Sequence, residues 1–293
     1  MYPFTILTGR PGVGKSSILK LMHMATHIAR SSSLGHFYRL MLPNHRGKCV
    51  ELNIDDYSLR HCDGKVKVEG QLPWEYSMYM FRGYPLYIKT LVEAARLRGQ
   101  LYNDVSMPTL AGVIGVFSQV LQRYYDVQTF YGRLALFACD LFSQVGMKEH
   151  CADFRRALYG VFAGLGEKAL RKLLGDFIDQ VEKIPEHELY TILLEKMVEK
   201  VRSNSVVFVE CMCQLIDISR IQEAVARRID KGDKIYVVAA LNAPKYKAEV
   251  FNDKLLEVAI KVLGWQPVEG LSAAYLVERK DNQTILKQLF PQQ

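Results

Sequence analysis

Eight consecutive residues, Gly9-Arg10-Pro11-Gly12-Val13-Gly14-Lys15-Ser16, have the types and the spacing of an anion-binding loop. Glycines let backbone N–H groups turn inward around a phosphate without Cβ clashes. A helix beginning at the end of such a run aims its positive dipole end at the same anion. Lys15 adds a mobile charge near the β- and γ-phosphates, and the Ser16 hydroxyl, followed by Ser17, is placed to ligate Mg²⁺. Phosphoryl chemistry also needs a carboxylate, either to hold the cation through water or to activate a nucleophile. Glu210 closes the apolar run Ser205–Val209, and Asp55-Asp56 closes Lys48–Ile54.

Positioning these groups calls for strands that end at them. Pro3–Thr8 is too short for a buried helix and right for a buried strand leading into the glycine loop. Lys15–Ala29 carries a broad apolar face and reads as a helix. Lys48–Ile54 alternates apolar and polar residues as a second strand, and Val66 and Val68 suit a small hairpin arm. From Glu75 to Arg202 strand signals fade, and apolar residues recur at three- and four-residue spacing, as at 169, 170, 173, 174, 177, 178 and 181. Strand and helix patterns then alternate again. Ser205–Val209, Lys234–Leu241 and Ser272–Glu278 read as strands, Ile218–Asp230 and Asp253–Leu263 as helices. Such alternation predicts a mostly parallel sheet with helices on both faces.

The glycine loop, in its strand–loop–helix context, resembles the Walker A loop of P-loop NTPases. That resemblance implies an α/β, three-layer core with a mostly parallel sheet, binding ATP and Mg²⁺ at Gly9–Ser17. The core would comprise residues 1–74 and 204–293, interrupted by an all-helical insertion over 75–203. Val206–Glu210 resembles the Walker B strand, ending in Glu where the family more often has Asp. Glu210 is then either a metal-shell ligand or the group that activates water. Asn242, after Lys234–Leu241, resembles a sensor residue that bonds the γ-phosphate or the attacking water; a turn residue before Pro244 is the other reading. In RecA-like ATPases a carboxylate after the strand following the P-loop helix can polarise water, which is one role open to Asp55 or Asp56. In P-loop kinases resembling uridine and glycerate kinases, an Asp in a phrase like Asn53-Ile54-Asp55-Asp56-Tyr57 takes the proton from a substrate hydroxyl. A solvated Asp-Asp turn is the remaining alternative.

Transition-state charge in phosphoryl transfer is often met by Arg. Arg220, Arg227 and Arg228 on one helix, and Arg279 with Lys280 after the last strand, are candidates, against ordinary solvated arginines. Such a pair either reaches a neighbouring subunit's nucleotide in a ring, which would make the chain a homo-oligomer, or closes as a kinase lid. The aromatic segment Trp74–Tyr87, with Arg82 and Lys89, suits either base stacking or the packing of a domain junction, and the second is preferred. His23 and His27 have a metal-ligand spacing, but packing is the favoured reading.

The net charge of +7 is compatible with a nucleic-acid partner and equally with a basic surface. At 49% hydrophobic and 24% charged residues, the chain is not of disordered or fibrous type. No 18-residue apolar run marks a membrane span. The six cysteines lack zinc spacing, and free thiols place the chain in the cytoplasm. The leading expectation is therefore an ATPase hydrolysing Mg–ATP, its helical insertion coupled to a partner. A small-molecule kinase and a nucleotide switch with little turnover are the alternatives.

Overall fold

The computed structural model describes residues 1–10, 12–28, 49–62, 65–81, 84–85, 87–89, 91–92, 127–212, 216–241, 264–280 and 283–291. In chain order the elements are β1 (Phe4–Thr8), α1 (Lys15–Ile28), β2 (Val50–Ile54), β3 (Tyr57–Cys62), β4 (Lys65–Glu69), β5 (Tyr76–Met80), α2 (Val127–Val145), α3 (Phe154–Phe162) and α4 (Leu165–Leu174). They continue with α5 (Glu186–Lys200), β6 (Ser205–Met212), α6 (Ile218–Asp230), β7 (Ile235–Leu241), β8 (Ser272–Lys280) and β9 (Gln283–Phe290). Two compact units result, one of Met1–His27, Cys49–Pro85 and Lys183–Gln293, the other of Ile28–Lys48 and Leu86–Glu182.

The first unit is α/β. Its six-stranded sheet has the order β5-β6-β7-β1-β8-β9. All neighbours are parallel except β8 and β9. Every residue of β1 and of β5 is buried, so both faces of these strands are covered. Two-sided burial is why β1 reads as a continuous apolar run rather than an alternating one.

Three features depart from the sequence expectation. First, Lys48–Ile54 does not supply the next strand of the main sheet. Its residues 50–54 form β2 in a separate antiparallel sheet, β2-β3-β4, and β5 takes the place in the main sheet. β5 is hidden in sequence because Tyr76, Met78 and Met80 mix with Ser77 and Tyr79, a pattern that carries neither β-branching nor alternation. Second, β5 and α5 lie inside the span 75–203 expected for the insertion, yet they belong to the first unit. Third, β8 is followed by the antiparallel edge strand β9, whose residues are mostly exposed and mix polar with apolar side chains without strict alternation, so that no strand was expected there.

In the small sheet Tyr57 and Leu59 are buried, 1% and 0% exposed. The Tyr57 hydroxyl donates to the Ala25 carbonyl at 3.5 Å. Cys49 and Cys62 are joined by a disulfide beside the Val50–His61 pair, which corrects the expectation of free thiols for these two residues. Cys139 and Cys151 are free.

Helices α5 and α6 pair through charge as well as apolar packing. Arg220 bonds Glu195, and Arg227 reaches Glu195 at 3.5 Å and Glu199 at 3.2 Å. Arg228 donates to the carbonyls of Val198 and Val201 at 2.7 and 2.8 Å, near the end of α5 where helix carbonyls lack intrahelical donors. It also holds Asp233 at 2.6 Å.

In its described part the second unit is helical. Of the apolar positions at helical spacing, 169, 170, 173, 174, 178 and 181 are buried and Phe177 is half-buried. Gly160 of α3 faces the Phe142 ring of α2, where an added Cβ would come within 2.9 Å. No helix among the described residues is long and apolar enough to cross a membrane.

Candidate functional site

The glycine loop connects the carboxyl end of β1 to the first turn of α1. Gly9, Gly12 and Gly14 have φ of +139°, +82° and +106°, values that favour glycine. Gly9 also makes a close approach, and Gly14 has Thr284 at ordinary contact distance. A Cβ on Gly9 would lie 2.4 Å from the Val277 carbonyl oxygen, and one on Gly14 would lie 3.6 Å from Thr284 Oγ1. The loop is thus backed against the β8–β9 hairpin. Inside it, Lys15 is only 5% exposed. Its ammonium donates to the carbonyls of Gly9 at 2.8 Å and Arg10 at 2.9 Å. Burial pulls its pKa down to about 8, because the ammonium has lost water. Ser16 and Ser17 follow in the first turn of α1, and Arg10 and Gly12 are exposed. Pro11 lies outside the described residues.

Sheet topology marks the same place. From β1 the chain crosses toward β5, while from β7 it passes β1 to reach β8 on the other side. β1 and β7 are neighbours whose connections leave in opposite directions, and in open α/β sheets ligands bind at the carboxyl ends of such a pair. Asn242, which follows β7, lies outside the described residues.

Glu210 is brought to α1. Its carboxylate lies 3.4 Å from Lys20 Nζ, with both side chains mostly buried (17% exposed for Lys20, 14% for Glu210). Lys20 stands four residues after Ser16, so the two share a helix face. Up to Val209 β6 is in register with β7. The register then shifts before Met212, an irregularity that falls at Glu210 and Cys211. Bulges of this kind re-aim side chains at strand ends. Sequence reading found Glu210 and missed Lys20, although the i+4 spacing from Ser16 was available. It also missed Thr284, which no motif marks.

Asp55 and Asp56 join β2 to β3 of the small sheet. They are the exposed two-residue turn between Ile54 and Tyr57, with Asp55 at φ 49°. A tight hairpin turn demands such a φ, which Asp tolerates. The solvated-turn alternative therefore accounts for both.

Arg220, Arg227 and Arg228 are committed to the α5–α6 contact. The aromatic segment is interior. Trp74, Tyr76, Tyr79, Phe81, Tyr84 and Tyr87 are all buried, so packing rather than base stacking describes them. The Trp74 indole N–H donates to Thr26 Oγ1 at 2.7 Å, and Arg202 lies over the Tyr76 ring. His23 and His27 are buried with their rings 4.6 Å apart, and His23 Nδ1 is 2.9 Å from Ser77 Oγ. Burial, with His27 adding to it, holds the His23 pKa well below the usual imidazole value.

No protein-family model matches this chain, and it shows no significant similarity to curated proteins or to solved structures.

Proposed function

We propose that the chain binds ATP at Gly9–Ser17 and hydrolyses it with Glu210 as the assisting carboxylate. The observation that carries this reading is the buried Lys15 ammonium, enclosed by a glycine-built loop and, among the described residues, partnered by that loop's own carbonyls. A desolvated cation in a cradle of backbone N–H groups at a helix start is best satisfied by a phosphate. The loop's place at the reversal point of the sheet supports the same ligand class.

The oxygen-only donors Ser16 and Glu210, attached to neighbouring elements, fit a hard cation such as Mg²⁺. When bound, that ion would neutralise charge on the β- and γ-phosphates. The chain's own work would be to orient the polyphosphate through loop N–H groups, to place Lys15 against it, and to accept a proton from water at the Glu210 carboxylate.

Hydrolysis is favoured over transfer to a small-molecule hydroxyl because the base that the kinase reading requires, Asp55 or Asp56, sits in an exposed hairpin turn. A nucleic-acid partner gains nothing from the aromatic segment, which is buried.

The test is phosphate release from Mg–ATP by the purified chain, alone and with single- or double-stranded nucleic acid. Turnover in wild type and its loss in Lys15→Ala are expected. Equal turnover in the two would overturn the site, and tight binding without release would favour a switch.

A further inference from the structure

The β8–β9 hairpin continues where β1 stops. Thr8 pairs with Leu276, the last pairing between β1 and β8, yet β8 runs on to Lys280 and β9 starts its return at Gln283. Four further residues at roughly 3.3 Å each carry this arm about 13 Å beyond the end of β1, alongside the glycine loop. The arm touches that loop at the two places already described, the Val277 carbonyl against Gly9 and the Thr284 hydroxyl near Gly14.

Thr284 is directly opposite Arg279 in the antiparallel register. Opposed residues of an antiparallel pair project from the same face of the ribbon. Because Thr284 faces Gly14, Arg279 leaves the arm on the loop side, while its neighbours Glu278 and Ile285 leave on the other. Arg279 is exposed, and no carboxylate among the described residues pairs with it. By contrast Arg220, Arg227 and Arg228 are all consumed by helix packing.

We propose that the arm, residues 277–280 of β8 and 283–286 of β9, forms a second wall of the nucleotide site. In it Thr284 donates its hydroxyl hydrogen to the polyphosphate, and Arg279 supplies a guanidinium to the same group within one chain. This rests on the nucleotide reading of Gly9–Ser17. The loop brings two full cations, the buried Lys15 and the exposed Arg10, to a ligand with several negative charges. A planar guanidinium can bridge two phosphate oxygens at once.

The test measures binding of ATP and of inorganic tripolyphosphate, which has neither base nor sugar. The proteins are wild type, Arg279→Ala, Arg279→Lys, Thr284→Val and Thr284→Ser. Arg279→Ala is expected to weaken both ligands by about tenfold or more, the cost of a lost charge-assisted bond. Arg279→Lys should recover part of this, and Thr284→Ser should bind better than Thr284→Val. Equal loss for the two ligands marks phosphate contact; loss confined to ATP would overturn it in favour of a base contact. Wild-type affinity in both Arg279→Ala and Thr284→Val, with wild type binding normally, would overturn the proposal and leave the nucleotide site standing. Failure of wild type to bind either ligand would overturn both. Mixing Lys15→Ala with Arg279→Ala protein separates a same-chain contact from one made to a neighbour. Restored turnover in the mixture would overturn the same-chain assignment.

Discussion

The Lys20 ammonium lies 3.4 Å from the Glu210 carboxylate, tying the end of β6 to α1 one helical turn beyond Ser16. This pair fixes the carboxylate near the loop and also supplies its counter-charge. Glu210→Gln should keep ATP affinity within a few-fold and slow hydrolysis by about 10²-fold or more, the usual weight of acid–base assistance. Calorimetric binding beside steady-state turnover separates these effects, and a normal rate would remove Glu210 from the chemistry.

Lys20→Met keeps the aliphatic stem and strands a mostly buried carboxylate. A loss of about 1–3 kcal/mol in unfolding free energy is expected by urea titration. Adding Glu210→Gln should return part of that loss, because the unpaired charge disappears with its partner. Additive losses would mean that the pair is not coupled.

Lys15 gives a pH signature. Its folded pKa is about 8, against 10.5 for the unperturbed group. Below pH 8 the ammonium is charged in both folded and unfolded chains, so the folded state bears the full burial cost. That cost fades as pH rises from 8 to 10.5 and is absent above it. Phosphate beside the ammonium raises its pKa again, so binding should take up a proton in this window and weaken with rising pH. Calorimetry in buffers of different ionisation enthalpy would register the uptake. Lys15→Met should abolish ATP binding without lowering the thermal midpoint near pH 7.

Two glycines of the loop should respond differently to alanine. Gly9→Ala forces a Cβ to 2.4 Å from the Val277 carbonyl oxygen at an unfavourable φ of +139°. Loss of ATP binding and a clear drop in thermal midpoint are expected. Gly12→Ala meets nothing within 4 Å and carries only the strain of its φ, about 1–2 kcal/mol. Nucleotide affinity measured on both variants decides the point; similar behaviour would mean that the hairpin does not support the loop.

Asp55→Asn with Asp56→Asn should leave turnover at the wild-type rate, since both residues form an exposed hairpin turn. A loss of about 10²-fold with intact nucleotide binding would return these residues to the chemistry and revive the kinase alternative.

The glycine loop, β1 and α1 were legible because local sequence dictates them: a short apolar run, glycines at positive φ and an amphipathic helix. The strand ending at Glu210 was legible for the same reason. What escaped was non-local. β5 is a strand because neighbours bury both its faces, and Tyr-Ser-Met-Tyr-Met does not announce that in isolation. Lys48–Ile54 alternates as a half-buried strand should, but alternation does not say which sheet receives it. Asp55 and Asp56 then inherit the wrong neighbourhood. Arg227 and Arg228 looked available for phosphate until α5 was found beside them, presenting Glu195, Glu199 and its own terminal carbonyls. The Cys49–Cys62 pairing likewise follows from the β2–β3 register, which composition does not carry.

The sheet order has a consequence for synthesis. β1 sits between β7 and β8, so its partners are Phe4 with Val237 on one side and Phe4 with Ser272 on the other. A ribosome adding roughly 5–20 residues per second makes the first of these strands at least about ten seconds before the last. Before β7 is made the Phe4–Thr8 backbone has no native ladder, and before β8 and β9 are made it lacks its second ladder and the glycine loop lacks its backing hairpin. The emerging chain must therefore keep a sticky apolar segment from pairing elsewhere, and nucleotide can help the fold only once β8 and β9 have been made.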